Sequence, residues 1–252
     1  MADRDELIAY LDDLLDSPAF DDYGPNGLQV PGAQEVRKVA SGVSAHRDLF
    51  ARAAQAGAQM VLCHHGIIWG SRPQAVTPAM RARLEALFSA DMSLAAYHLP
   101  LDAHPEHGNN ALICEALGFE ATGRFAEAKG RPIGFTARSR EGVPFGQLHK
   151  RCAAAFGQEP FAWASGPETV HTLGVVSGGG DFAFGEAIGL GLDAFVTGEP
   201  SEPAMADSRE AGVHFVAGGH YATETLGVRR LGELLADRFG VEHEFLSIPN
   251  PV

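Results

Sequence analysis

The chain has 252 residues and a formal net charge of −13, from 19 basic and 32 acidic residues. Hydrophobic residues at 45% and charged residues at 20% are an ordinary globular balance, and the length suits one large domain or two small ones. The acidic excess argues against a broad nucleic-acid footprint, and no apolar run approaches the roughly 18 residues of a membrane-spanning helix.

Residues 1–20 read as an acidic, amphipathic helix with Leu7, Ile8, Leu11, Leu14 and Leu15 on one face. A secretory signal would begin basic and carry an unbroken apolar core, so a cytoplasmic protein is expected. Asp21 to Gly27 is a turn cluster, and Leu28–Val30 restarts apolar character. A β-α-β pattern follows. Val36–Ser44 reads as a strand and turn, His46–Ala56 as a helix ended by Gly57, and Met60–Cys63 as a strand. Met80–Phe88 is a helix, Ser93–Tyr97 a strand, and Asn109–Leu117 a helix stopped by Gly118. Between 119 and 145, alternating runs suggest antiparallel strands, and Phe145–Phe156 looks helical.

The first pattern then returns. Thr172–Val176, Leu192–Val196 and Val213–Ala217 read as strands, separated by helices at Phe182–Leu190 and Pro203–Ala211. A last helix spans Thr225–Phe239. The predicted class is α/β: two interlinked, pseudo-symmetric lobes, 1–124 and 125–252, with a metal site at strand ends between them and the C-terminal helix packing back on the first lobe.

Polar residues follow the later strands of both copies. His98 and Asp102 in the first copy match His220 and Glu224 in the second, and His64–His65 stands where Gly198–Glu199 stands later. Imidazoles and carboxylates gathered at strand ends suit divalent metals of mixed nitrogen and oxygen ligation, namely zinc, manganese, iron or nickel. Adjacent histidines cannot share one face of a strand, so His64 and His65 are expected on a loop just past it. His220 and Glu224, four apart, share a helical face if the segment is helical; a helix cap plus a surface pair is the plainer reading. Pro100 argues against a regular helix from His98 to Asp102. His104 and His107 are either outer donors that orient ligands or solvated loop residues.

Three cysteines, Cys63, Cys114 and Cys152, imply no disulfide framework and fit a reducing compartment. Cys63 is either a thiolate ligand or a small buried strand residue. Ser177-Gly-Gly-Gly180 is either a backbone cradle for an anion or a tight turn needing positive φ. No nucleophile elbow, Cys-x-x-Cys pair or dinucleotide fingerprint occurs.

Six phrases carry a family resemblance: Asp22-Tyr-Gly-Pro-Asn-Gly-Leu-Gln-Val30, His64-His-Gly-Ile-Ile-Trp-Gly70, Tyr97-His-Leu-Pro-Leu-Asp-Ala-His104, Ser177-Gly-Gly-Gly180, Thr197-Gly-Glu-Pro-Ser-Glu202 and Gly219-His-Tyr-Ala-Thr-Glu224. Spread over nearly the whole chain, they resemble the YbgI-like dinuclear metal-binding proteins, also called GTP cyclohydrolase 1 type 2 homologues or NGG-interacting-factor-three-like proteins. The chain is similar to the short form of that family. The resemblance implies two divalent ions per chain on His64, His65, Asp102, His220 and Glu224, with His98 beside them in a proton-transfer or supporting role. It implies ring-like homohexamers, and Tyr221 where members often have a second histidine. The reaction it implies is metal-dependent hydrolysis of a small molecule, such as opening of the GTP purine ring by a metal-activated water. The competing expectation is a non-catalytic metal-binding regulatory or interaction protein.

Overall fold

A computed structural model describes residues 1–70 and 75–252. The chain divides into two compact units, Met1–Leu101 with Gly227–Ile248, and Asp102–Leu226 with Pro249–Val252.

In the first unit, β1 (Ala2–Asp3) leads into α1 (Arg4–Leu14), followed by β2 (Gly27–Val30), β3 (Glu35–Val36), β4 (Lys38–Ser44), α2 (Arg47–Gln55), β5 (Met60–His65), α3 (Pro78–Ser89) and β6 (Ser93–Ala96). Local chemistry starts these helices. The Asp3 carboxylate accepts from the Asp5 and Glu6 amides, and Thr77 Oγ1 accepts from the Met80 amide at 3.2 Å. Helix α4 (Leu99–Ala103) follows β6 directly. It overturns the expectation of a loop there, because Pro100 stands in its first turn, where a missing amide proton costs nothing.

The second unit contains α5 (Asn109–Leu117), β7 (Glu120–Ala128), β8 (Arg131–Pro144), α6 (Phe145–Phe156), β9 (Phe161–Trp163), β10 (Thr169–Val176), α7 (Phe184–Gly189), β11 (Ala194–Thr197), α8 (Ala204–Ala211), β12 (His214–Ala217) and α9 (His220–Thr223). Then α10 (Thr225–Phe239) and β13 (Glu242–Phe245) carry the chain back into the first unit. Residues 102–124 group with the second unit, ahead of the 124/125 boundary read from the sequence. The reason is local: Ile113, Cys114 and Leu117 of α5 pack in that unit's core, and β7 pairs with β8.

The first sheet has the order β13-β4-β5-β6-β2 and the second β7-β8-β10-β11-β12-β9. Each contains three successive parallel strands, β4-β5-β6 and β10-β11-β12, with an antiparallel strand beside the third. Strands covered on both faces read as continuous apolar runs, and every residue from Met60 to His64 in β5 is buried, as is all of β6, β11 and β12. The first core gathers Leu49, Phe50, Val61, Leu87 and Leu94, all fully buried, where truncating one leucine to alanine costs about 2–5 kcal/mol.

Candidate functional site

In the first unit, β5 and β6 run parallel, with Cys63 level with Ala96. Their ends therefore reach one edge of the sheet together, and His64–His65 lies beside Tyr97–His98. The two histidines are the last residues of β5 and not loop residues beyond it. The ladder to β6 ends at Cys63, while the ladder to β4 continues to His65. Past the last β6 pair the rings have room to converge: centroid separations are 4.7 Å for His64–His65, 5.0 Å for His64–His98 and 5.5 Å for His65–His98. One ring nitrogen from each of the three lies within 4.8 Å of the others.

Partners behind the rings orient them. His64 is fully buried, and its Nδ1 lies 2.9 Å from the Tyr97 carbonyl oxygen. A carbonyl only accepts, so Nδ1 carries a proton, and in the neutral ring Nε2 is the nitrogen with the lone pair. His65 Nδ1 pairs with Ser44 Oγ at 3.2 Å. His98 Nδ1 lies 2.7 Å from Asp22 Oδ1. Asp22 also accepts from the amides of Tyr23 at 2.6 Å and Leu99 at 2.9 Å, and from Asn26 Nδ2 at 3.0 Å. Burial alone would raise the Asp22 carboxyl, but the hydrogen bond and charge of His98, with the Asn26 and Tyr23 donors, outweigh it and hold it below its ordinary value.

Cys63 lies inside the first unit's core, and burial pushes its thiol well above the ordinary range. It is the small buried strand residue of the two readings, not a thiolate.

In the second unit, β11 and β12 end level, with Thr197 beside Ala217. Glu199 and His220 follow those ends. His220 Nδ1 pairs with Glu199 Oε1, and His220 Nε2 lies 3.2 Å from Glu224 Oε1. Helix α9 brings the four-residue spacing onto one face, as the helical reading required, and Glu224 is only 3% exposed. Burial lowers the His220 pKa, yet the two carboxylates dominate and raise it to about 9.

Asp102 is buried, and its Oδ1 accepts from Asn109 Nδ2 at 2.9 Å and Ser177 Oγ at 3.0 Å. Asn110 Nδ2 donates to the Asp102 carbonyl at 3.2 Å, and Asn110 Oδ1 accepts from the Ser177 amide at 2.6 Å. Both asparagines are fully buried. These groups aim the Asp102 carboxylate.

The Ser177–Gly180 turn has the positive φ of the tight-turn reading, and its first two amides are engaged within the protein. Its Ser177 amide serves Asn110, and its Gly178 amide donates to Thr223 Oγ1 at 3.0 Å. The Gly178 carbonyl accepts from the Gly198 and Glu199 amides. Gly178 has φ +61, and a Cβ there would collide with Glu224 Oε1 and approach His220 Nε2 to 3.1 Å. Glycine is required because the carboxylate and imidazole occupy the space of a side chain.

His104 serves its own turn, its Nδ1 accepting from the amides of Glu106 at 3.2 Å and His107 at 2.9 Å. The two rings stack at 5.0 Å.

The residues that the sequence left out are Asp22, Asn109, Asn110, Ser177 as a hydroxyl donor, and Glu199 as a partner of His220. Asp22, Ser177 and Glu199 lay in segments that drew notice as a turn cluster, a glycine turn and the counterpart of His64–His65, but the partners they meet are far away in sequence.

The donor set fits divalent metal ions. It offers a buried imidazole whose Nδ1 is engaged by a carbonyl, and a buried carboxylate, Asp102, held by neutral donors. The raised His220 pKa fits too, since a cation there takes the place of a proton. The fold and these groups define an α/β protein of two like-built units, each with side chains at its strand ends that could hold a metal ion.

The comparisons with known proteins go further. The family model described as "Duf34/NIF3 (NGG1p interacting factor 3)" matches residues 2–251, and the chain belongs to that family. A Pseudomonas aeruginosa relative called "GTP cyclohydrolase 1 type 2 homolog" is 40% identical over 245 residues, 97% of each chain. The solved structure titled "protein ybgI, unknown function" matches with a TM-score of 0.93 and 38% identity over 100% of both chains. TTHA1606 from Thermus thermophilus matches with a TM-score of 0.85 and 35% identity, again over 100% of both. The α/β class and the family resemblance are thereby established. No described helix is long and apolar enough to cross a membrane.

Proposed function

We propose that this protein is a metal-dependent hydrolase acting on a nucleotide or a related heterocycle. Two divalent ions are assigned to His64 and His65 of the first unit and to Asp102, His220 and Glu224 of the second. The carrying observation is the His64–His65–His98 cluster, whose buried member has its tautomer set by the Tyr97 carbonyl. Bound divalent ions supply an activated water and stabilise developing negative charge. His64, with Nδ1–H on the Tyr97 carbonyl, would present Nε2 to an ion. Asp102 and Glu224 bring the negative charge that two cations need. Glu199 holds the far side of the His220 ring. His98, with Nδ1–H on Asp22, takes up and returns a proton at Nε2. The name of the relatives that are 40% identical supports GTP as the first substrate to try.

The test begins with elemental analysis of protein purified without an affinity tag. Turnover of GTP and other nucleotides is then measured with zinc, manganese, iron and nickel. Asp102→Ala and Glu224→Ala are expected to abolish turnover; undiminished rates in both would overturn the mechanism. A second reading, non-catalytic metal binding in a regulatory or interaction role, is favoured by the family description, which names an interacting factor. Tight metal binding with no turnover across the panel would select it.

A further inference from the structure

Large apolar side chains stand beside the first unit's histidines. Tyr23 is 49% exposed and Ile68 40% exposed, although each adjoins a buried or half-buried residue of the cluster's surroundings. The Trp69 ring is nearly perpendicular to His98, at 84° and 5.2 Å between centroids, and 5.7 Å from His65. The Tyr23 ring approaches His98 at 6.0 Å and 66°. Scattered exposed apolar residues are ordinary, but aromatic rings converging on one polar cluster are the usual lining of a ligand site.

These rings are held in place. Trp69 Nε1–H donates to the Gly66 carbonyl at 2.9 Å. The Gly70 amide donates to the Tyr23 carbonyl at 2.5 Å, and Asp22 holds the Tyr23 amide. A Cβ on Gly24 would collide with the Ile68 carbonyl oxygen, so the two segments meet backbone to backbone. Gln29 Oε1 accepts from the amides of Ile67 at 2.8 Å and Ile68 at 3.3 Å, fixing the second segment from below. The crevice beneath, lined by Asn26, His64, Trp69 and His98, holds only about 10 Å³, room for about one water. A ligand ring therefore rests against the aromatic rim and does not enter the crevice.

We propose that Tyr23 and Trp69 form a stacking subsite for a planar heterocycle of purine type beside His98. Rigid aromatic faces bind flat rings with little loss of side-chain freedom, whatever the pattern of ring substituents. The choice of a purine-like ring rests on the function proposed above, while the subsite itself needs no metal.

The probe is guanosine, followed by indole fluorescence. The chain has two tryptophans, so Trp163→Phe leaves Trp69 as the reporter. Saturable quenching by guanosine is expected, with and without prior chelation of metals. Tyr23→Ala and Tyr23→Leu should each weaken binding by about 5- to 150-fold, and Tyr23→Phe should retain it. The leucine variant keeps apolar area without a ring, so it separates stacking from simple burial. Absence of saturable quenching, unchanged affinity in both ring-less variants, or equal binding of D-ribose would overturn the subsite. Metal content of the unchelated, reloaded protein separates the two proposals: quenching with less than about one ion per chain keeps the subsite and removes the metal reading, and metal bound without quenching does the opposite.

Discussion

The two units solve the same problem with different chemistry. Both carry three successive parallel strands with an antiparallel strand beside the third, and both place polar residues after the second and third of these. The first unit uses imidazoles there, each backed by an acceptor or hydroxyl: the Tyr97 carbonyl, Ser44 and Asp22. The second uses an imidazole between two acids, His220 between Glu199 and Glu224, and adds Asp102, which follows β6 in the chain but groups with the second unit and is backed by the neutral donors Asn109 and Ser177. One scaffold can thus supply neutral nitrogen donors or anionic oxygen donors, depending on what stands behind the strand ends.

Removing a ligand probes that contrast most severely. Glu224→Ala and His64→Ala should each reduce bound metal to less than about a tenth, read by elemental analysis after equilibration with zinc or manganese. Loss in one variant and full retention in the other would assign the metal to one unit's chemistry alone.

Gly178→Ala comes next. It forces a left-handed backbone onto alanine, costing about 1–2 kcal/mol, and displaces Glu224, so both melting temperature and metal content should fall. Gly185→Ala in α7 meets open space and should stabilise by about 0.4–1 kcal/mol with metal content unchanged. Equal behaviour of the two variants would remove the special role of Gly178.

Milder effects are expected from Ser177→Ala and Asn109→Ala, which leave Asp102 in place but less well aimed. Metal affinity should drop by about 10- to 100-fold, measured by competition with a chelator.

The smallest effect is a pH dependence. His214 stacks on Phe145 with centroids 3.8 Å apart, its Nδ1 accepts from the Gly166 amide at 3.1 Å, and its Nε2 faces the Pro167 carbonyl at 2.8 Å. That arrangement needs the neutral ring, and burial holds its pKa below the ordinary value. The unfolded chain therefore binds more protons in the window between the two values. The contribution is fully present above about pH 6.5 and is lost as pH falls through the lower folded value. His243 in the first unit, depressed mainly by burial and bonded to Ser41 Oγ at 2.7 Å, carries the same sign. Melting temperature followed from pH 7.5 to 5 (a range of about 2.5 units around the histidine pKa) should fall less steeply in His214→Gln than in the parent chain.

Much of the framework was legible in the sequence because its signals are local. Apolar runs marked β5, β6, β11 and β12, Gly118 ended α5 with φ +77, and the bounds of α10 match those read from the sequence. The position of polar residues beyond those strands followed from the same pattern. Two local readings failed for physical reasons. Pro100 is harmless in a first helical turn, and paired histidines can converge where a strand has lost one of its neighbours.

What the sequence by itself determined, then, is the doubled strand–helix framework and the residue types at its strand ends, since periodicity, caps and turns act over a few neighbours. Only the tertiary structure decided what stands behind those residues. Asp22 meets His98 across 76 positions, and Ser177 meets Asp102 across 75. The tautomer of His64, the aim of Asp102 and the need for glycine at 178 all depend on atoms that chain folding, and not sequence proximity, brings within hydrogen-bonding reach.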